Sequence, residues 1–157
     1  GGFRIIQNTV YAAQQGHVFA YQGHSVRTSG NQLAHAVLRG AVNKHGQNLA
    51  NYHYEDLRLL AQMYQERELA NPACLIDTNH ANSNKQFAEQ PRIAQEVLHS
   101  RRLSGEIRAL VKGFMIESYI EEGNQTVGEH VYGRSITDAC LGWPATRNLV
   151  LNIADQV

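Results

Sequence analysis

Short apolar segments that alternate with helical patterns constrain the fold of this chain more than any other feature of its sequence. Three such segments are predicted core strands, at residues 34–38, 73–77 and 111–116. They are mainly apolar along their length, as in parallel strands that are buried on both faces. Apolar residues recur at helical spacing in four further segments, residues 3–14, 54–69, 87–99 and 144–155. Strands alternating with helices predict an α/β fold in which helices cover a parallel sheet.

A small β-hairpin is predicted before the first of these core strands. Residues 17–21 form its first strand, Gly23 and His24 its turn, and residues 25–28 its shorter partner strand. Polar residues around 45–51 and 121–135 predict loops. Because a chain of 157 residues can bury one sizeable core but not two, we expect a single domain over residues 1–157.

Charge and cysteine content exclude several classes of function. The chain has 14 acidic and 14 basic side chains, and this balance gives no reason to expect binding to nucleic acid or to an anionic membrane. No apolar run approaches the length of a membrane span. The 2 cysteines, Cys74 and Cys140, do not suggest a disulfide scaffold, so we expect a reducing compartment, the cytoplasm.

Polar side chains stand where the predicted strands end. Arg39 follows the first core strand, His80 follows the second, and Glu117 closes the third. Asp138, in the segment beyond the last strand, could reach the same edge. In parallel βα folds the carboxyl ends of the strands are where ligands bind. A histidine with two carboxylates suits Mn, Fe, Co or Zn, and an arginine suits a phosphate or carboxylate.

Each of these residues also has a structural interpretation, and the pattern alone does not decide between the two. His80 could be a hydrogen-bonded loop residue, Glu117 a solvated strand end, and Asp138 a cap of a local turn. Arg39 could pair with a structural carboxylate. Cys140 lies two residues after Asp138, so its thiol is either close to a metal and prone to oxidation or buried and inert.

Several motifs, in order and over essentially the whole chain, resemble those of type I 3-deoxy-D-arabino-heptulosonate 7-phosphate (DAHP) synthases. They are Leu38-Arg39-Gly40, Asn79-His80-Ala81-Asn82-Ser83, Lys85-Gln86-Phe87, Glu117-Ser118, Glu122-Gly123-Asn124-Gln125, Gly133-Arg134-Ser135-Ile136-Thr137-Asp138-Ala139-Cys140 and Gly142-Trp143. The resemblance implies the C-terminal half of a (β/α)8 barrel. It also implies a metal-dependent condensation of phosphoenolpyruvate with erythrose 4-phosphate, the first step of the shikimate pathway, which gives DAHP and phosphate.

The resemblance also assigns roles to individual residues. It implies a divalent metal, Mn, Fe, Co or Zn, bound by His80, Glu117 and Asp138. Arg39 would contact the phosphate of phosphoenolpyruvate, and His80 and Arg39 are the expected catalytic residues. Asn82 and Lys85, in the loop that carries His80, are expected to orient the metal ligand His80 without touching the metal. The hairpin is shorter than in feedback-regulated members, whose inhibitor pocket uses it. We therefore expect Phe19 and Tyr21 to be core residues rather than contacts for an inhibitor such as Phe or Tyr.

A complete (β/α)8 barrel needs about 250 residues, so the resemblance implies that this chain lacks an N-terminal half. That half would carry a fourth metal ligand, a cysteine, and most of the cations that contact the substrates. We therefore expect the chain to be inactive alone and to associate with such a half or with itself. Two alternatives are a non-catalytic half-barrel that binds at most metal or phosphate, and an unrelated metal hydrolase. The hydrolase would explain the ligands but not the Leu-Arg-Gly and Ser-Ile-Thr-Asp-Ala-Cys motifs.

Overall fold

The structure is a computed structural model that describes residues 2–157. Helices and strands alternate along the chain, as the sequence predicts. In chain order the elements are α1 (Gly2–Gln14), β1 (Val18–Tyr21), β2 (His24–Arg27), β3 (Ala36–Leu38), β4 (Ala41–Val42), β5 (Asn48–Leu49), α2 (Tyr54–Glu66), β6 (Cys74–Asp77), α3 (Gln90–Leu103), α4 (Gly105–Leu110), β7 (Val111–Met115) and α5 (Trp143–Ala154). A 3-10 turn, Phe87–Glu89, leads into α3.

The three predicted core strands form one parallel sheet in the order β3-β6-β7, with β6 in the centre. Leu38 of β3 lies opposite Ile76 of β6, and Ile76 lies opposite Phe114 of β7. This confirms the predicted parallel sheet, with each strand one or two residues shorter than the apolar segment that predicted it. Since all three strands run in the same direction, their carboxyl ends meet at one edge, and the loops after them share that edge.

Helices α2 and α3 cover this sheet with the residues that the helical patterns placed inward. Leu57 and Leu60 of α2, and Ile93 and Val97 of α3, are fully buried. Complete burial of a side chain of this size contributes about 1.5–3 kcal/mol relative to full exposure. These residues belong to one cluster with the sheet residues Leu38, Cys74, Ile76 and Val111. The core that results fixes the strands, and so fixes where their carboxyl ends lie.

Three short elements were absent from the sequence predictions. Helix α4 is only six residues long, and Ser104 caps it by accepting a hydrogen bond from the Ile107 backbone amide. Strands β4 and β5 pair antiparallel inside a segment whose polar composition predicted a loop. Elements of one or two turns, or of two residues, are too short to leave a periodic signal.

The hairpin formed by β1 and β2 corrects one expectation. Its strands pair antiparallel, with Phe19 opposite Val26. Phe19 is 47% exposed and Tyr21 is 60% exposed, so the expectation that both are core residues was wrong. The reason is that the two strands form a separate two-stranded sheet and every residue of β1 faces solvent. None of the helices within residues 2–157 has the length and apolar character needed to cross a membrane.

Candidate metal centre

The loop after β6 presents His80 in an unusual backbone conformation. The strand ends at Asp77, whose Oδ1 accepts a hydrogen bond from the Asn79 backbone amide at 2.9 Å. His80 follows with φ of +45°, in the left-handed region that non-glycine residues rarely adopt. Such conformations persist only where the surrounding structure fixes them, and they concentrate at functional sites. The loop therefore holds the imidazole at the edge of the sheet at a conformational cost.

Three predicted ligands, His80, Glu117 and Asp138, lie together at this edge. His80 Nε2 is 3.3 Å from Asp138 Oδ2 and 3.7 Å from Glu117 Oε1. One potential ligand atom from each residue lies within 4.8 Å of the other two. The His80 side chain is 17% exposed, while Glu117 and Asp138 are 32% and 45% exposed, so a solute can reach the cluster. One imidazole nitrogen and two carboxylates fit a divalent first-row cation.

Asp77 contacts the opposite side of the same imidazole. His80 Nδ1 is 2.7 Å from Asp77 Oδ2, although the angles fall outside hydrogen-bonding geometry. At this distance an N–H facing the carboxylate is favoured over a bare nitrogen, so we assign a proton to Nδ1. Nε2 then faces Glu117 and Asp138, and its lone pair is the one that a cation placed among them would use. Carboxylates that hold the second nitrogen of a ligating histidine in this way are common in metal sites.

Sequence reasoning missed Asp77, which it treated only as the last residue of a strand. The Asp77 side chain is 1% exposed, an unusual place for a carboxylate unless it has a partner. An acidic residue at the end of an apolar strand, three positions before a candidate histidine ligand, was a signal that could have identified it.

Backbone hydrogen bonds connect the segments that carry Glu117 and Asp138. The Leu141 amide donates to the Glu117 carbonyl at 3.0 Å, and the Tyr119 amide donates to the Leu141 carbonyl at 2.9 Å. Ser118 and Leu141 form a parallel bridge. This short ladder brings Asp138, three residues before Leu141, beside the end of β7.

Arg39 stands at the carboxyl end of β3, and its side chain is exposed. The residue after it, Gly40, has φ of +76°, and a Cβ on it would lie 2.7 Å from the Ala81 Cβ. The turn at Arg39 and Gly40 therefore packs directly against the loop that carries His80. Within residues 2–157 the Arg39 guanidinium has neither a hydrogen bond nor a salt bridge, which leaves it available to an anion.

Asn82, one of the two residues expected to orient the ligand, is a buried connection between these loops. Its amide nitrogen donates to the Leu38 carbonyl at 3.0 Å and to the Asp77 carbonyl at 2.8 Å. Its oxygen accepts from the Asn51 amide at 3.0 Å. The other residue, Lys85, is exposed, and its backbone amide donates to the His80 carbonyl at 2.8 Å.

A cavity of about 440 Å³ opens beside Glu117, and Arg134 and Cys140 also line it. The Arg134 Nε is buried and has no hydrogen-bond partner among the residues that the structure describes. A guanidinium nitrogen that is buried and unpaired is costly, so this group is suited to an anion that enters the cavity. Sequence reasoning quoted Arg134 within a motif but gave it no role.

Both cysteines are free and buried. Burial raises the pKa of the Cys140 thiol, and the nearby carboxylates of Glu117 and Asp138 raise it further. Burial also raises the pKa of the Cys74 thiol, to about 12. A thiol must ionise to act as a nucleophile or be readily oxidised, so without a metal beside it Cys140 is expected to be inert.

Comparison with known proteins gives one consistent family. The model of the DAHP synthetase I family matches residues 2–150. The phospho-2-dehydro-3-deoxyheptonate aldolase of Haemophilus influenzae is 32% identical over 166 aligned positions, which cover 100% of this chain and 43% of that protein. The Phe-sensitive phospho-2-dehydro-3-deoxyheptonate aldolase of Escherichia coli K12 is 36% identical, with 100% of this chain and 44% of that protein covered.

A solved structure is similar to this chain in its fold. The phospho-2-dehydro-3-deoxyheptonate aldolase from Francisella tularensis SCHU S4 superposes with a TM-score of 0.84 and 24% identity, over 100% of this chain and 45% of that chain. This chain thus spans less than half the length of each of these relatives.

Proposed function

From the premise that this chain belongs to the DAHP synthetase I family, we propose that it forms the C-terminal half of a (β/α)8 barrel and carries part of a DAHP synthase site. The reaction joins C3 of phosphoenolpyruvate to the aldehyde carbon of erythrose 4-phosphate. Water adds at C2 of the phosphoenolpyruvate unit, and inorganic phosphate leaves. The observation that carries the proposal is the convergence of His80, Glu117 and Asp138 at the carboxyl edge of the sheet.

His80, Glu117 and Asp138 are the proposed ligands of a divalent Mn, Fe, Co or Zn ion. Asp77 keeps the His80 proton on Nδ1, so that Nε2 can donate its lone pair between the two carboxylates. A bound cation supplies Lewis acidity that polarises a carbonyl oxygen. The two carboxylates also lower the positive charge of the occupied site, which leaves the binding of anionic substrates to other residues.

Arg39 is the proposed contact for the phosphate of phosphoenolpyruvate. Its guanidinium is exposed at the same edge as His80, and its planar donors match a phosphate group. Arg134 lines the cavity beside Glu117 and is proposed as a second cation for the substrate phosphate. Asn82 fixes the loop between the Arg39 turn and His80, and Lys85 is the exposed cation of that loop.

Two phosphorylated substrates bring more negative charge than these cations neutralise. Because the chain spans 43% to 44% of the curated relatives' length, we infer that turnover needs the part that it does not span. That part could belong to the same polypeptide or to a separate one. It would add the fourth metal ligand and the other phosphate contacts.

A second candidate is a non-catalytic half-barrel that associates with itself. The observation in its favour is that β3 and β7 pair on one side only within the described part of the chain, so the sheet has two open edges. Open edges and exposed apolar residues promote association. This candidate predicts a stable symmetric dimer that shows no turnover even with the complementary part present.

The test is an assay of phosphate release from phosphoenolpyruvate and erythrose 4-phosphate with Mn²⁺, on protein whose intact mass is near 17.5 kDa. We expect no release from the chain alone, and release once the part of the Haemophilus influenzae relative that it does not span is added. His80→Ala should abolish the release, while His45→Ala, at an exposed histidine outside the cluster, should not.

Different failures have different meanings. Release by the chain alone would refute the need for a complementary part while supporting the site, provided that His80→Ala abolishes it. Absence of release from the combined preparation, together with absence of Mn²⁺ binding, would contradict the proposed site. A tight dimer that is inactive in both preparations would favour the non-catalytic candidate.

A further inference from the structure

Gln90, the first residue of α3, is a fully buried polar side chain beside the metal centre. Its amide oxygen accepts a hydrogen bond from the Glu117 backbone amide at 2.9 Å, and its amide nitrogen donates to the Glu117 carbonyl at 2.9 Å. The Thr78 hydroxyl donates to the same amide oxygen at 2.9 Å. Thr78 lies two residues before His80, so one side chain connects the segments of two proposed ligands.

The geometry around Glu117 resembles the pairing of a strand with a neighbour. A backbone that gives both its N–H and its C=O to one partner is restricted in φ and ψ, and so is the direction of its Cα–Cβ bond. The Glu117 carbonyl also accepts from the Leu141 amide at 3.0 Å, which completes its acceptor capacity. The backbone of Glu117 is thus fixed, although its side chain is partly exposed.

We propose that Gln90 is a positioning residue of the metal centre: its amide fixes the Glu117 backbone so that the carboxylate faces His80 Nε2. This inference rests on the proposed function, because it requires Glu117 to be a metal ligand. Outer groups of this kind set the orientation of the ligands that touch the metal, and their loss typically weakens metal binding by about 10–100-fold.

A purely structural role for Gln90 is the competing explanation, and Gln14 provides a matched control for it. Gln14, in α1, is also buried, at 4% exposure. Its amide nitrogen donates to the Ala34 carbonyl at 3.1 Å, and its oxygen accepts from the Ala70 amide at 3.1 Å. Ala34 and Ala70 precede β3 and β6, so Gln14 makes the same kind of contact at the amino end of the sheet.

The experiment compares Gln90→Met, Gln90→Glu and Gln14→Met in Mn²⁺ titrations followed by the EPR signal of free Mn²⁺. Methionine keeps the length of the side chain and removes its hydrogen bonds. We expect Gln90→Met to weaken Mn²⁺ binding by about 10–100-fold, and Gln14→Met to leave it within about twofold. Gln90→Glu keeps the accepted bonds and loses the donated one, so its affinity should be intermediate. Equal losses in Gln90→Met and Gln14→Met, or no loss in either, would overturn the proposal.

A second readout does not depend on the metal. In the metal-free chain, we expect hydrogen exchange of the Glu117 amide to be at least about tenfold faster in Gln90→Met than in the wild type. Unchanged exchange would refute the positioning role. If the wild type binds no Mn²⁺, the proposed function fails, and the exchange rate still decides whether Gln90 fixes the Glu117 backbone. Should Gln90→Met not fold, Gln90→Glu decides: its Mn²⁺ affinity must fall below that of Gln14→Met.

Discussion

The two ends of the central sheet differ in how their polar side chains are partnered. At the amino end, the Tyr64 hydroxyl donates to the Ala73 carbonyl at 3.1 Å and accepts from the Ala36 amide at 3.0 Å, joining the starts of β3 and β6. At the carboxyl end, Glu117 and Asp138 carry like charges and both lie near a single imidazole. Both ends pair buried side chains with the backbone, Tyr64 at one and Asn82 and Gln90 at the other, but only the carboxyl end adds two partly exposed carboxylates that face one histidine.

This difference indicates which end stabilises the fold and which end binds. Buried polar groups that pair with the backbone recover the cost of leaving water. Two carboxylates within a few ångströms repel each other, and the repulsion is relieved only when a cation lies between them or one takes up a proton. Removing a charge from the carboxyl end should therefore cost binding and little stability, and removing a hydroxyl from the amino end should do the reverse.

The largest effect is expected for Glu117→Gln at the carboxyl end. It keeps the shape of the side chain and removes one of the two carboxylates that face His80. Loss of a residue that only orients a metal ligand typically costs about 10–100-fold in metal affinity. Loss of a ligand itself should therefore weaken Mn²⁺ binding by more than about 100-fold. The unfolding free energy without metal should change by less than about 0.5 kcal/mol, because the side chain is partly exposed. Calorimetric titration and urea denaturation measure the two quantities.

Glu121→Gln is the control for this prediction. It makes the same change of charge at an exposed residue four positions along the chain, outside the cluster, and should leave Mn²⁺ binding unchanged. If Glu117→Gln binds Mn²⁺ as tightly as Glu121→Gln does, Glu117 is not a ligand and the contrast between the two ends of the sheet is lost.

Asp77→Asn tests the group behind the histidine, and its effect should be next in size. The Asp77 Oδ1 accepts from the Asn79 amide, so an asparagine oxygen would occupy that position and turn its NH2 towards His80 Nδ1. The proton would then move to Nε2, the atom proposed to bind the metal. We expect Mn²⁺ affinity to fall by about 10–100-fold. Nitrogen-15 NMR of the His80 ring in the metal-free chain would report the tautomer directly, and an unprotonated Nε2 in the variant would contradict this account.

Local sequence patterns predicted the elements that make up the core. The apolar segments gave β3, β6 and β7 to within two residues, and helical spacing identified the inward residues of α2 and α3. The hairpin aromatics Phe19 and Tyr21 were assigned wrongly because strand patterns show which residues are apolar but not whether another layer covers them. In β1 about half or more of each aromatic side chain remains exposed.

The residues of the candidate site that could be predicted from sequence are those that stand at the end of a predicted strand or in the segment beyond it. His80, Glu117 and Asp138 come together in space, while Asp77 and Gln90 had no role assigned to them from sequence. Both contact backbone atoms or another side chain, and neither belongs to a recognisable motif. A buried glutamine at a helix start has the same sequence signature as an exposed one, and only the three-dimensional contacts separate them.

Tyr64→Phe tests the amino end, where the expected loss is of stability and not of binding. It removes the hydroxyl that joins Ala36 and Ala73, although the Ala36 amide also donates to the Ala73 carbonyl at 3.3 Å. We expect the unfolding free energy to fall by about 1–2 kcal/mol, with Mn²⁺ affinity within about twofold of the wild type. Tyr54→Phe, at the start of the same helix and away from this contact, is the matched control. A variant that loses metal affinity without losing stability would contradict the division between the two ends.

The last effect is absent at neutral pH and is confined to alkaline pH, and it too belongs to the amino end. Burial raises the pKa of Tyr64 from 10.0 to about 12 and that of Cys74 from 9.0 to about 12. Between pH 9 and pH 12 the unfolded chain has therefore lost protons that the folded chain still holds. Stability falls wherever the folded state binds more protons, so the unfolding free energy should decrease as pH rises through this range. Denaturation at intervals from pH 8 to pH 12 measures the decrease, and Tyr64→Phe should reduce its slope above about pH 10, the ordinary pKa of tyrosine. Equal slopes of unfolding free energy against pH in Tyr64→Phe and the wild type would mean that folding does not hold the Tyr64 hydroxyl protonated. Its hydrogen bonds would then stabilise the fold less than the contrast between the two ends requires.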